Sequence, residues 1–189
     1  RLPPPGECAT LSGTMSSDTS LIRPARPADA EAIARVHVYG WQEAYAGLLP
    51  DDFLAGLGRT LDRRRDFWEG LARSLSRRDA FFVAEVGGEI VGFAHGGHSR
   101  DHPDENVGEV TAIYLRQAHW GRGIGRRLFA AVVDRLREAG FEEAILWVLD
   151  TNARARRFYE AAGWEADGSE KVETLGDLEL REVRYRARF

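Results

Sequence analysis

The chain has 189 residues, 43% hydrophobic and 30% charged, the composition of one globular domain and not of an intrinsically disordered chain. A formal net charge of −4 supplies no global field to draw in nucleic acid or an anionic membrane, and the longest apolar run, Ala144 to Leu149, is too short to cross a bilayer. The single cysteine, Cys8, excludes an intrachain disulfide and a zinc site built on several thiolates, and the amino end lacks the apolar core of a secretory signal, so a cytoplasmic location is the default expectation.

Residues 1–20, rich in Pro, Ser, Thr and Gly, read as a flexible tail with Met15 as a natural start, and residues 21–189 as a single domain. Leu21 to Ala25 predicts a short strand closed by a proline turn. Pro27 to Glu31 opens a helix, its acids facing the positive end of the dipole, with Ile33, Val36 and His37 or Gly40 on its apolar stripe. After Pro50 one or two more helices follow, burying Leu57, Leu61, Phe67, Trp68 and Leu71 and turning Arg63, Arg64 and Arg65 to solvent. The period then changes from helical to alternating. Ala80 to Val86 and Glu89 to Ala94 form a hairpin about Gly87-Gly88, and Glu109 to Leu115 forms another strand after a polar loop. Ile124, Leu128, Val132 and Leu136, four apart, give a helix one face against a sheet, and Gly140 caps its end. Ala144 to Leu149, almost wholly apolar, is an interior strand parallel to a neighbour. A short helix capped by Thr151 or Asn152 follows, then two strands near 170–175 and 180–186. The result is a mixed α+β domain with a βαβ unit at its centre.

The stretch Trp120-Gly-Arg-Gly-Ile-Gly-Arg-Arg127 sets three alternating glycines between a strand and an amphipathic helix. Glycine lets a ligand approach unpaired main-chain N–H groups at a helix N-terminus, where the macrodipole also favours an anion, and Arg122, Arg126 and Arg127 add charge there. The alternative is that the glycines only make a tight strand-to-helix turn. The dinucleotide fingerprint fails in both registers, since Arg126 or Leu128 falls where its last glycine belongs, and the nucleotide-triphosphate loop lacks its lysine.

With Gly123 and Gly125 at its two small positions, this stretch resembles the pyrophosphate loop Gln/Arg-x-x-Gly-x-Gly/Ala of the GNAT superfamily of acyl-CoA-dependent N-acyltransferases, with Trp120 departing from the first position. Asn152 to Trp164 resembles that family's Asn-x-x-Ala-x-x-Phe-Tyr-x-x-x-Gly-Phe signature. The resemblance implies a mostly antiparallel mixed sheet whose strands splay around the pantetheine arm of acetyl-CoA, with no metal. It places the arm on main-chain groups of Ile113 and Leu115, the pyrophosphate on Gly121, Arg122, Gly123, Ile124, Gly125 and Arg126, and Asn152 beside the arm. Tyr159, in the Phe-Tyr position, would protonate the departing thiolate, or else only pack. Glu109 stands eleven residues before the loop's first position, where some members carry their general base; it lies four residues before Ile113, so the two are expected to share a face. Glu109 could instead be a solvent-exposed strand end, and Asp104 or Glu105 could take the role.

The implied reaction is transfer of an acetyl group from acetyl-CoA to a primary amine, small-molecule or peptide, by direct attack in a ternary complex. A protein N-terminus or lysine as acceptor, a longer acyl group, a non-catalytic acyl-CoA-binding domain and, distantly, a metal-dependent hydrolase are the alternatives. Trp41 and Tyr45 are candidates to enclose the acceptor, with Glu43, Asp51 and Asp52 to attract a cationic amine. His95 and His98 would point to opposite faces of a strand, which argues against a metal site with His102, and His119 reads as a surface residue. Asp62, Asp66 and Asp79 beside the arginine runs argue against nucleic acid. Members of the family often dimerise through their terminal strands, so a homodimer is compatible with this chain.

Overall fold

The structure, a computed structural model, describes residues 20–102 and 106–189. The expected tail with Cys8 and Met15, and the acids Asp104 and Glu105, lie outside the described residues; Ser20 is described, is buried, and its carbonyl accepts two bonds from Arg127 at 3.1 Å. The elements follow the expected order. Strand β1 (Leu21–Pro24) leads into helices α1 (Ala30–Ala44), α2 (Asp51–Gly56) and α3 (Leu61–Arg73), then strands β2 (Ala80–Val86), β3 (Glu89–His98) and β4 (Val107–Leu115). Helix α4 (Ile124–Glu138), strand β5 (Glu143–Leu149), helix α5 (Ala153–Ala161) and the hairpin β6 (Glu165–Leu175) and β7 (Leu178–Arg188) complete the chain. Strands β3 and β6 run longer than the sequence pattern suggested, because the glycines Gly96, Gly97 and Gly168 mask the alternation that would mark them.

The seven strands form one sheet in the order β1-β2-β3-β4-β5-β7-β6, a mixed α+β architecture in which only β4 and β5 are parallel, joined by the α4 crossover. Helix α4 lays Leu128, Val132 and Leu136, all fully buried, against one face of the sheet with Ala94, Val110, Leu146 and Tyr185. Each such side chain contributes about 1.5–3 kcal/mol on leaving water. On the other face α1 and α3 pack Ile33, Val36 and Trp68 over Phe81, Val83 and Phe93. A third cluster ties Val38, Leu54 and Leu57 to Leu149 of β5 and Leu180 of β7. The early helices therefore bridge both halves of the sheet. Arg64 departs from the expected solvent face of α3: its Nη1 lies 2.9 Å from His37 Nδ1, and its guanidinium faces the Trp41 ring.

Candidate active site

The parallel seam between β4 and β5 is short. Its three pairs run from Val107↔Glu143 to Glu109↔Ile145, and beyond them the strands part. A bulge accompanies the divergence: β3 steps from His95 to Gly96 while β4 spends two residues, Thr111 and Ala112, and a bulge bends and twists its strand. The gap holds a cavity of about 590 Å3, walled by β4 from Val110 to Leu115, Trp147 and Val148 of β5, the glycine loop, the start of α5, and Ala44 and Tyr45 at the end of α1.

Main-chain direction on β4 follows from one bond. The Arg116 amide donates to the Val91 carbonyl at 2.9 Å, so Leu115 and Ile113, on the opposite parity, turn their N–H and C=O groups into the gap. The Leu115 carbonyl is already an acceptor there, taking the Trp120 indole N–H at 2.7 Å.

The loop that closes the gap is built on left-handed backbone. Gly121 and Gly123 adopt φ of 75° and 76°, a region where a Cβ is strained, whereas Gly125 does not and would seat a Cβ at 3.7 Å from Leu115 and Phe158. Helix α4 begins directly after Gly123, and its first intrahelical bond is donated by Arg127, so the amides of Ile124, Gly125 and Arg126 have no intrahelical acceptor. Arg126 lines the cavity. Arg127 turns away to Ser20, and Arg122 stands exposed.

Helix α5 presents two of the sequence candidates. Asn152 caps it, its Oδ1 accepting from the Ala155 amide at 3.0 Å, and lines the cleft. Tyr159, one helical face onward, is 8% exposed and lines the cavity. Burial, reinforced by the neighbouring Tyr45 phenol, holds its hydroxyl well above the ordinary tyrosine range, so it stays protonated throughout the physiological range. Tyr45 and Tyr114 stand beside it, both also raised by burial and hydrogen-bonded to each other, so three phenols converge on one wall.

Glu109 lies at the closed end of the gap and not on the cavity wall. It is 1% exposed and clasped by Arg100, whose Nη2 donates at 2.5 Å to Oε1 and whose backbone amide donates at 3.0 Å to Oε2. The expectation that it shares a face with Ile113 is corrected. Gly97, its partner across the sheet, looks toward Asp79, while Ile113 packs with the α4 cluster; the extra residue at the bulge reverses the parity between them. Thr111, the exposed residue of the bulge, lines the cavity and lies 2.7 Å from His95 Nδ1. Burial is the main cause that lowers His95 to about 4, and its Nε2 has no partner. His95 and His98 do face opposite ways, His95 toward Phe81 and Trp68 and His98 toward Phe141.

Of the acceptor candidates, Tyr45 reaches the cavity, whereas Trp41 packs behind it against Tyr45, Phe53 and Tyr114. Glu43 is committed elsewhere, to Arg116 at 3.0 Å and the Gln117 amide at 2.6 Å. Trp147 forms part of the floor: its indole donates to Asp101 at 2.6 Å and Lys171 sits 4.5 Å above its ring. Sequence reasoning passed over Thr111, Tyr114, Trp147 and Arg154. Thr111 and Tyr114 are hidden in a strand pattern that does not record the bulge, Trp147 in an almost wholly apolar strand read as interior, and Arg154 stands at a position that the helix signature leaves open.

A family model described as the Acetyltransferase (GNAT) family matches residues 41–164. An uncharacterized N-acetyltransferase, YuaI of Bacillus subtilis (strain 168), is 32% identical over 162 residues, covering 86% of this chain and 89% of that one. A mycothiol acetyltransferase of Amycolatopsis mediterranei is 30% identical over 142 residues, covering 72% of this chain and 42% of the other. Among solved structures, the PaiA N-acetyltransferase of Thermoplasma acidophilum in complex with coenzyme A matches with a TM-score of 0.69 at 19% identity, over 90% of this chain and 99% of that one. YncA of Salmonella typhimurium with acetyl-CoA matches with a TM-score of 0.68 at 22% identity, over 90% and 94% of the two chains.

Proposed function

This chain belongs to the GNAT acetyltransferase family and transfers an acetyl group from acetyl-CoA, and we propose that it does so by direct attack of a primary amine, with Tyr159 as the acid and Glu109 at the base end of the path. The observation that carries this reading is the cleft itself. It sets unpaired loop amides at its mouth, exposed strand edges at Ile113 and Leu115 along its wall, and a protonated phenol inside it.

In this mechanism Gly121 to Arg126 hold the pyrophosphate and Ile113 lends the pantetheine arm its free main-chain groups, with Asn152 offering its amide nitrogen. The neutral amine attacks the thioester carbon, and the oxyanion that forms is met by a main-chain N–H of β4. Collapse breaks the C–S bond; Tyr159 gives its proton to the thiolate, and the amine's proton is taken up by solvent at the Thr111 end of the wall, with Glu109 as its proposed final acceptor. Arg100 clasps and orients the Glu109 carboxylate, so the residue acts at one remove from the amine.

The acceptor is a small-molecule or peptide amine, taken up on the side formed by Tyr45, Thr111 and Trp147. The likeness to mycothiol acetyltransferases makes small-molecule amines the first class to try. A cytoplasmic setting follows from the donor. The test is a thermal shift with acetyl-CoA, CoA, NAD and ATP in parallel, followed by thiol release from acetyl-CoA against an amine panel. Donor at about 100 times its dissociation constant stabilises by about 2.7 kcal/mol, or roughly 5–10 °C for a domain of this size. A shift with acetyl-CoA and CoA alone is expected; none with either would sink the reading.

A further inference from the structure

The family's loop opens with Gln or Arg, and here that position is Trp120, a side chain that offers a phosphate neither charge nor a matching fork of donors. The tryptophan is not loose. Its indole N–H is tied to the Leu115 carbonyl at 2.7 Å, and the Arg154 guanidinium lies over its ring, 3.1 Å from the centroid. Arg154 stands two residues past the Asn152 cap of α5 and lines the same cleft as Gly121, Gly123 and Arg126. Arg126 and Arg157 line the same cleft, and among the described residues no carboxylate lies within ion-pairing distance of any of the three; Arg154 alone of them lies over an aromatic ring. Arg100, Arg116 and Arg184, off the cavity wall, are paired with Glu109, Glu43 and Asp167. Desolvation alone acts on the ionisation of Arg154, in the lowering direction. A planar cation stacked on an aromatic face keeps its donors in a fixed fork while losing little of its attraction for an anion.

Resting on the acyl-CoA reading of this cleft, we propose that Arg154 binds the pyrophosphate of the donor and that Trp120 is the platform that positions it. The charge that the family carries at the first position of the loop comes here from the first turn of α5. Arg154 is the ligand-contacting residue. Trp120 is a positioning residue that acts through it, with its own orientation fixed by Leu115. The substitution at position 120 and the arginine at position 154 are thereby one device and not two coincidences.

The experiment is calorimetric titration of the full chain with CoA and with 3′-dephospho-CoA. Arg154→Met is expected to weaken both ligands about tenfold to a hundredfold, the range of a charge-assisted hydrogen bond. Arg154→Lys should recover only part of that, because an ammonium lacks the planar fork. Trp120→Leu should weaken binding by a similar factor, and the double variant Trp120→Leu/Arg154→Met should bind no worse than Arg154→Met alone, since the platform has nothing left to position. Trp120→Phe keeps a ring under the guanidinium and should retain most of the affinity, which separates loss of the platform from a damaged loop. Wild-type affinity in Arg154→Met overturns the assignment. So does a loss seen with CoA but absent with 3′-dephospho-CoA, which would give Arg154 to the 3′-phosphate. Additive losses in the double variant overturn the role of Trp120. Failure of the unmodified protein to bind either ligand overturns the acyl-CoA reading beneath the proposal, and is told apart because it appears before any variant is made.

Discussion

Burial sets the protonation state of Tyr159, the proposed acid. A phenol whose ionisation is pushed above the ordinary tyrosine value keeps its proton at every pH at which the enzyme would be assayed, so the form the proposal needs is present, while the same shift makes it a weaker donor. A thiolate leaving group, with a thiol pKa of about 8.5, needs only moderate help. Tyr159→Phe should therefore lower kcat by about tenfold to a hundredfold, at the low end for acid catalysis, with the KM for acetyl-CoA nearly unchanged. Thiol-release kinetics would measure it, and a normal kcat would remove Tyr159 from the mechanism. The wild-type rate should also show no fall between pH 7 and 9 from loss of this proton; a limb there that disappears in Tyr159→Phe would mean that the phenol ionises below the ordinary tyrosine value of about 10. The place of Tyr159 in the cleft was legible because it stands within a sequence signature on a helix, where spacing fixes the face. Glu109 was legible as a residue but not as an environment: no pattern in the sequence announces that Arg100, nine residues earlier and across a loop, encloses it.

At the level of elements, the glycine loop and the βαβ crossover could be read from the chain because they rest on backbone chemistry and on four-residue spacing. The two left-handed glycines are Gly121 and Gly123, and Gly125 is dispensable on conformational grounds. A β-branched side chain at Gly123 meets a strained backbone, at a cost of roughly 1–2 kcal/mol, and turns the α4 amides away from the cleft mouth. Gly123→Val should lose acetyl-CoA binding by at least two orders of magnitude, while Gly125→Ala, whose Cβ finds only ordinary contacts, should keep it within a few-fold. Calorimetry on both variants makes the comparison, and normal affinity in Gly123→Val would show that the loop is a turn and nothing more. The bulge at Thr111 could not be read. One extra residue leaves the apolar alternation of β4 almost unchanged to the eye, yet it moves Glu109 to the face opposite Ile113 and brings Thr111 to the cleft beside His95. Strand faces inferred across such a position come out reversed.

The molecule as a whole is two half-sheets held by a three-pair parallel seam and by the early helices packed across it. Those helices and the sheet beneath them enclose two histidines that the fold keeps neutral. His37, set among Trp41, Trp68, Phe93 and Tyr114, is lowered to about 3, by burial first and then by the nearby Arg64 cation. His95 is lowered to about 4, by burial and by Arg100, against the opposing pull of Asp79 and Glu109. Both folded values lie below the unfolded one of about 6.5. The unfolded chain therefore takes up protons that the folded one refuses as pH falls, so the stability these sites contribute is complete above pH 6.5 and declines from there toward pH 4 and 3. Each histidine supplies a slope of up to about 1.4 kcal/mol per pH unit. Two such slopes together remove up to about 5 kcal/mol by pH 4.5, which is enough to unfold a domain at the low end of the usual range of about 5–15 kcal/mol. Urea unfolding at pH 7.5, 6.5, 5.5 and 4.5 should show a flat upper range followed by a steep loss. The variant His37→Gln/His95→Gln, weaker at neutral pH, should lose the steepness. A wild-type curve as flat as that of the variant would mean that both imidazoles are protonated in the folded protein, and that the aromatic cluster around them opens to water.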